Sequence, residues 1–274
     1  MLSKRRNSHN SSTSEQELTF WDHLDDLRKA LFRSVMAVMA CAVVVFLNKD
    51  TLTHIIFAAQ SSDFVTYRVL CQLSEAVRIS ALCPENFEVQ LLNTKLATPF
   101  FTHMTSSLYV GLLLALPVVL ILLWQFVAPA LYPKERKMGI PLLIFCILLF
   151  AAGVLLGYYV IFPLAFRFLG TYQFGKTIVT MVDLSSYMET FYMVLIAMGL
   201  VFEMPMLAYG LSRLGIITKE FLGKYRRHAI VVILIIAAFI TPTSDPFTLM
   251  LVSVPMYFLY ELSIRVSKSG KSAE

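Results

Sequence analysis

Six long runs of apolar residues dominate this chain of 274 residues and restrict the structures that it can form. Hydrophobic residues make up 57% of the chain and charged residues 15%, whereas a soluble domain is nearer half apolar and a quarter charged. A run of about 20 apolar residues crosses a bilayer as a helix. The sequence therefore predicts an all-α, polytopic membrane protein with spans at about 30–47, 108–127, 140–162, 187–211, 229–240 and 247–264.

The spans form one predicted membrane domain, residues 18–266, between two polar tails. The first tail, residues 1–17, is rich in Ser and Asn and has no apolar segment, so we interpret it as disordered rather than as a cleavable signal peptide. The second tail is residues 267–274. A long polar or mixed segment between the first two spans, about 57–89, has no role that the sequence assigns.

Basic residues are distributed unevenly between the two sides of the spans. An even number of spans places both termini on one side, where 17 of the 23 Lys and Arg residues also fall. Because loops rich in Lys and Arg stay in the cytoplasm, both termini are predicted to be cytoplasmic, with the protein in the inner membrane. The net charge of +5 thus reflects the lipid bilayer and indicates no nucleic acid partner.

The fifth span is unusually short. Its 12 apolar residues form about 18 Å of helix, against a hydrocarbon core of about 30 Å. Either the helix extends into 226–228 and 241–242, or the bilayer becomes thinner there, which costs only fractions of a kcal/mol per Å.

A proline-framed elbow, Phe126–Lys137, joins the second and third spans on the terminal side. Pro129 and Pro133 interrupt helix on either side of Ala-Leu-Tyr, since proline lacks an amide donor and restricts the residue before it. Glu135 is the only acidic residue between Glu88 and Asp183. Taken alone, it is equally consistent with a surface ion pair to a neighbouring base, worth about 0–1 kcal/mol.

A second polar group precedes the first span, on the same predicted face: His23, Asp25, Asp26 and Arg28. Acids at a helix start are favoured by the helix dipole, so a purely structural role explains them. However, Asp22 and Asp26 are four residues apart, where like charges repel by about 0.2–0.5 kcal/mol. A cationic ligand would relieve that repulsion.

Two further acids have both a functional and a structural interpretation. Glu203 lies inside the fourth apolar run, where a carboxylate is costly and by default indicates function, although a neutral, hydrogen-bonded Glu would also be stable. Asp245 lies in the turn between the last two spans and is predicted to cap the sixth helix, with Pro246 at its first position.

The sequence contains no pattern that supports binding of a metal or a cofactor. The five histidines are scattered, and there is no Cys/His ligand cluster, phosphate-binding loop or nucleophile motif. The sequence thus predicts a protein that is not an enzyme and has no cofactor. Cys71 and Cys83 fall on the outer side and could form a disulfide.

Six ordered motifs together resemble the TatC family, the multispanning core of the twin-arginine protein translocase. They are His-Leu-Asp-Asp-Leu-Arg at 23–28, Pro-Phe-Phe-Thr at 99–102, Phe-Val-Ala-Pro-Ala-Leu-Tyr-Pro-Lys-Glu-Arg at 126–136, Phe-Pro-Leu-Ala-Phe at 162–166, Phe-Glu-Met-Pro at 202–205 and Thr-Pro-Thr-Ser-Asp-Pro at 241–246. Each motif is modest alone, but their order and spacing make the resemblance specific.

The resemblance implies a receptor for the paired-arginine signal peptides of folded proteins, which are exported by the proton-motive force. It implies single-span partners of the TatA and TatB types, self-association in a larger complex, and a concave bundle of six helices. By resemblance, Asp26 and Glu135 form the arginine-binding patch, with contributions from His23, Asp25 and Arg28, and Glu203 faces the membrane interior. The residues expected to hold motif loops are Pro99, Phe126, Pro129, Tyr132 and Asp245.

Two other functions remain possible from the residues alone. A secondary transporter would use Glu203 as a proton or ion site, and a membrane scaffold would need its acids only for structure. The chain also departs from the family, which has a glutamate where Asp26 stands. The shorter side chain brings into question how much Asp26 contributes, and Asp25 could share its role.

Overall fold

The computed structural model describes residues 20–61, 63–77, 89–127, 133–172, 181–213, 215–241 and 245–267, with the side chains of 20–23, 73, 75–77, 127 and 133–138 excepted. The described chain is mostly helical. Its helices are α1 Phe20–Leu47, α2 Lys49–Phe57, α3 Val65–Val77, α4 Thr98–Val127, α5 Pro133–Leu156, α6 Phe162–Thr171, α7 Leu184–Phe202, α8 Met204–Arg213, α9 Lys219–Lys224, α10 Arg226–Ile240 and α11 Pro246–Val266.

Five helical segments of the described chain are long and apolar enough to cross a membrane. They are Leu24–Leu47, Thr98–Phe126, Gly139–Thr171, Leu184–Arg213 and Pro246–Val266. They correspond to the first four and the sixth of the predicted spans. The fifth predicted span coincides with α10, whose 15 residues extend about 22 Å. The helix extends over 226–228, as one alternative expected, but ends before 241–242, so it is still shorter than a hydrocarbon core of about 30 Å.

Helix α1 packs most extensively on α4, and the two run antiparallel. The ring of Phe46 stacks on His103 with centroids 4.3 Å apart, and Gly111 lies directly against the backbone of Ala42. A Cβ at Gly111 would be 2.6 Å from the Ala42 Cα, so this close approach requires glycine. The first two spans therefore form one rigid hairpin.

Helices α5 and α7 form a second close antiparallel pair, which also depends on glycines. Gly153 faces the Met198 carbonyl and the Phe202 side chain, and Gly199 faces the ring of Phe150. Beyond this contact the third span continues through a π-helical turn, Gly157–Ile161, into α6. The helical segment thus continues through the π turn to Thr171, beyond the predicted end of the third span at 162.

The segment after α1 folds over one end of the bundle as a cap, defined here as α2, the 3₁₀ turn Ala58–Gln60 and α3. Buried tyrosines attach it. The Tyr67 hydroxyl donates to the carbonyls of Ala59 and Pro163 at 3.2 and 3.0 Å, and the Tyr187 hydroxyl donates to Ile56 at 2.7 Å. Burial raises the pKa of the Tyr67 phenol, so it remains a donor.

The two strands lie at the same end as the cap. Strand β1, Leu91–Leu92, precedes α4, and strand β2, Val182–Asp183, precedes α7; they pair in parallel, with Leu91 opposite Val182. Cys71 of α3 is disulfide-bonded, whereas Cys41 and Cys146 in the spans are free. Cys83 lies outside the described residues.

Candidate functional site

The acidic group on α1 is exposed and internally paired. Asp25 and Asp26 are each a little over half exposed, and the Lys29 ammonium lies 2.7 Å from Asp25 Oδ2 and 3.5 Å from Asp26 Oδ1. Exposed pairs at this spacing contribute about 0.3–0.5 kcal/mol, so a stronger cationic ligand can displace Lys29 at little cost. Arg28 is also exposed, and the His23 side chain lies outside the described part.

The register of α1 and α4 relates these acids to the elbow. Asp26 precedes Ala42 by 16 residues, and Val127 follows Gly111 by 16 residues, so both lie about 24 Å from the Ala42–Gly111 contact in the same direction. Asp26 is consequently level with the last turn of α4, which contains Phe126. Residues 128–132, with Pro129 and Tyr132, lie outside the described residues.

Helix α5 begins at Pro133, which places Glu135 in its first turn. Proline is favoured at the first helical position because it has no amide to satisfy, and an acid in the first turn is favoured by the dipole. The elbow prediction is confirmed to the extent that α4 ends at Val127 and α5 starts at Pro133. The Glu135 side chain is not among the described side chains, so the structure places this residue in the first turn of α5 without assigning it any contacts.

Glu203 lies at the junction between α7 and α8, where Pro205 follows. Its Oε1 is buried and has no hydrogen-bond partner among the described residues. The carboxylate interacts with the Cys146 thiol of α5 and the Phe150 backbone. Since Cys146 is 13 residues into α5, about 20 Å from Pro133, Glu203 lies well inside the membrane-length segment.

Asp245 caps α11, as the sequence predicts. Its Oδ1 accepts a hydrogen bond of 2.8 Å from the Thr248 amide, and Pro246 is the first helical residue. Helix capping is therefore a local structural role that accounts for the presence of Asp245 in this motif. Pro99 has a comparable place in the first turn of α4, and it lines a cavity of about 380 Å³ together with Lys49 and His103.

The structure also contains a larger cavity, which the sequence did not predict. It has a volume of about 880 Å³ and lies between the first half of α4 and the first half of α7. Lys95 and Glu189 both line it. A carboxylate inside the predicted span 187–211 is the signal that could have revealed Glu189, by the same reasoning that singled out Glu203.

The described residues contain no group of three or more potential metal-binding side chains. The arrangement instead presents carboxylates at two levels. One group lies at the end of the bundle near the elbow, where water can reach it, and Glu203 lies within the bilayer segment. The first suits binding of cations in solution and the second suits contact with a polar group inside the membrane.

The chain is similar to known proteins over most of its length. Residues 22–255 match the family described as Sec-independent protein translocase protein (TatC). The protein of that name from Deinococcus radiodurans is 38% identical over 251 residues, which cover 90% of this chain and 85% of the relative. TatCy from Bacillus subtilis is 33% identical over 254 residues, covering 93% and 90%. A crystal structure of the twin arginine translocase receptor TatC in DDM has a TM-score of 0.72 at 31% identity, covering 90% of this chain and 99% of that one.

Proposed function

The chain belongs to the TatC family of Sec-independent protein translocase proteins, and on that premise we propose that it is the receptor for paired-arginine signal peptides. As a family member it is a core subunit of the twin-arginine translocase, a multi-pass membrane protein and a transport component without enzymatic activity. The relatives reported above are all translocase proteins. The secondary-transporter alternative therefore has no support from them.

The proposed receptor surface consists of Asp25 and Asp26 on α1 and Glu135 on α5, with His23 and Arg28 beside them. The observation that carries the proposal is the register of α1 and α4, which brings Asp26 level with the last turn of α4, where the elbow containing Glu135 begins. A guanidinium pairs with a carboxylate through two parallel hydrogen bonds, so two carboxylate groups suit two adjacent arginines. Because Asp26 is exposed and its ion pair among the described residues is with Lys29, the shorter side chain can still reach a ligand.

Photocrosslinking tests this surface directly. A photoreactive residue replaces Leu27, which is exposed beside Asp26, in the complete protein in membranes. We expect it to crosslink a signal peptide with paired arginines and to lose that product when both arginines are replaced by lysine. The matched control is the same substitution at Leu47, an exposed residue at the opposite end of α1. Equal crosslinking at the two positions would refute the proposed surface.

We further propose six spans, with α10 as the fifth and both termini in the cytoplasm. Arg226 at the start of α10 forms a 3.0 Å ion pair with Glu261 near the end of α11, which supports α10 running antiparallel along α11. Helix α10 ends at Ile240 and α11 begins at Pro246, so the two helices are consecutive in the chain. The disulfide-bonded Cys71 supports an oxidising, external location for the cap.

Cysteine labelling in intact cells measures this topology. Single cysteines replace Asp63 in the cap segment and Lys219 at the start of α9, in a protein whose free Cys41 and Cys146 are serine. A membrane-impermeant maleimide is expected to label position 63 in intact cells and position 219 only after permeabilisation. The reverse pattern would contradict the proposed orientation.

Glu203 is proposed as an intramembrane contact for a single-span partner of the TatA or TatB type, within a self-associating complex that exports folded proteins by the proton-motive force. Its support is the buried Oε1, which has no hydrogen-bond partner among the described residues although Cys146 and Phe150 lie near the carboxyl group, together with exposed Leu207 one turn further along α8. A buried acceptor that lacks a partner costs about 1–3 kcal/mol, which a polar group on a partner helix can recover.

A photoreactive residue at Leu207 is expected to crosslink a single-span partner, and Glu203→Leu is expected to reduce that product about tenfold. Glu203→Gln keeps the hydrogen-bonding capacity, because a neutral amide can both donate and accept. This variant should therefore retain most of the crosslinked product. Crosslinking that is unchanged in Glu203→Leu would show that the carboxylate does not make this contact.

A further inference from the structure

The cavity of about 880 Å³ between α4 and α7 is well placed to receive a lipid. It lies at the start of both helices, at the end of the bundle opposite the elbow. Helix α4 has 30 residues and is about 45 Å long, which equals a bilayer with its headgroup regions. The cavity follows α4 from Thr98 to Tyr109, so it extends from the headgroup level about 16 Å inward.

Two opposite charges line this cavity, one before the start of α4 and one in the second turn of α7. Lys95 lies three residues before α4, and Glu189 is the sixth residue of α7. Within the described part of the chain, they form no ion pair with each other or with another residue. An exposed cation and an exposed anion that share one cavity without pairing leave room for a ligand that carries both charges.

The apolar part of the cavity lining opens sideways. Phe101 is 56% exposed and Met193 46% exposed, and Ile196 lies a turn further along α7. Its inner wall is fixed by the stacked rings of Tyr109 and Tyr192, 4.4 Å apart, and by the hydrogen bond between Tyr192 and Ser106. This wall is preorganised, and the side facing the bilayer is open to an acyl chain.

We propose that this cavity binds one phospholipid with a primary ammonium headgroup, of the phosphatidylethanolamine class. Glu189 accepts hydrogen bonds from the ammonium group, Lys95 donates to the phosphate, and the hydroxyls of Thr98 and Ser185 lie in the same lining as further donors. One acyl chain covers Phe101 and Met193. A helix of a partner protein would fill the apolar part and leave the two charges without complementary groups.

Headgroup chemistry provides the test. The complete protein is delipidated in detergent and titrated with phosphatidylethanolamine or phosphatidylcholine of identical acyl chains, with bound lipid counted by native mass spectrometry. We expect about tenfold tighter binding of phosphatidylethanolamine, because choline has no N–H to donate to Glu189. Glu189→Gln should abolish this preference, whereas Lys95→Gln should weaken both lipids to a similar extent because both carry the phosphate.

Asp50→Asn is the matched control, since Asp50 is an exposed acid on α2 that does not line the cavity, and it should leave the preference unchanged. Equal binding of the two lipids by the unaltered protein overturns the proposal without any variant. A preference that survives in Glu189→Gln overturns it as well. So does a photoreactive residue at Met193 that, in membranes, captures a partner protein and no lipid. Because only lipid binding to the isolated protein is titrated, these results are independent of signal-peptide recognition.

Discussion

The variant Glu135→Lys is expected to bind a paired-arginine signal peptide at least about 100-fold more weakly than the unaltered protein. A charge-assisted hydrogen bond contributes about 1.5–3 kcal/mol, and each 1.4 kcal/mol changes an equilibrium constant tenfold. Loss of a two-pronged contact with one guanidinium, together with repulsion from the new ammonium, accounts for the expected size. Fluorescence anisotropy of a labelled signal peptide with purified protein measures it.

The control for Glu135→Lys must change net charge by the same amount at the same proposed membrane face. Glu220 meets this requirement, because it lies in the first turn of α9 just as Glu135 lies in the first turn of α5. Glu220→Lys should weaken binding no more than about threefold, and that small effect should decline in salt as screening increases. Similar losses in the two variants would show that overall charge, and no specific carboxylate, governs binding.

Because Lys29 pairs with the acids of α1, substitutions in this group should change signal-peptide binding differently from Glu135→Lys. Asp26→Asn should weaken binding about tenfold, less than Glu135→Lys, because Asp25 on the same surface can replace part of the contact. Lys29→Gln should strengthen binding by up to about fivefold, since the peptide no longer displaces an ion pair worth at most about 1 kcal/mol. This increase distinguishes a receptor surface from acids that only stabilise the helix start.

Rules that use only neighbouring residues predicted those helices and helix ends that are determined by neighbouring residues. Five of the six spans predicted from apolar length are membrane-length helices, the Asp245-Pro246 pair predicted the cap of α11, and Pro133 marked the start of α5. The family resemblance, carried by ordered motifs, is confirmed by the match over residues 22–255. The roles of Asp26, Glu135 and Glu203 remain proposals, because their function depends on ligands that lie outside the chain.

Features that depend on contacts between distant segments were not predictable in the same way. Helix α4 begins at Thr98, ten residues before the predicted span, because hydroxyl groups in this stretch are satisfied within the helix. Ser106 and Ser107 donate to the carbonyls four residues earlier, so residues that look polar in sequence continue the helix. The cap likewise depends on Tyr67 and Tyr187, whose acceptors are 96 and 131 residues away.

The second large effect is expected from Gly153→Val, at the close contact of α5 and α7. A Cβ there would lie 2.5 Å from the Met198 carbonyl oxygen and 2.8 Å from Phe202, so the two helices must separate. Overpacking of this kind costs about 1–3 kcal/mol, and because the obstacle is partly backbone we expect the upper end. For a chain of this size the thermal midpoint should fall by roughly 5–10 °C, measured by heating the detergent-purified protein and quantifying the folded fraction.

Separation of α5 from α7 should also affect function, because Glu203 follows Phe202 and faces Cys146 across the same contact. Gly153→Val is therefore expected to lower partner crosslinking from Leu207 while leaving signal-peptide binding near Glu135 within about threefold of normal. Gly223→Val is the matched control, since Gly223 is also helical, has open space around it and lies in α9 away from Leu207, and it should change neither the midpoint nor the crosslinking. If Gly153→Val were as stable as Gly223→Val, the close α5–α7 contact would not be the feature that holds Glu203 in place.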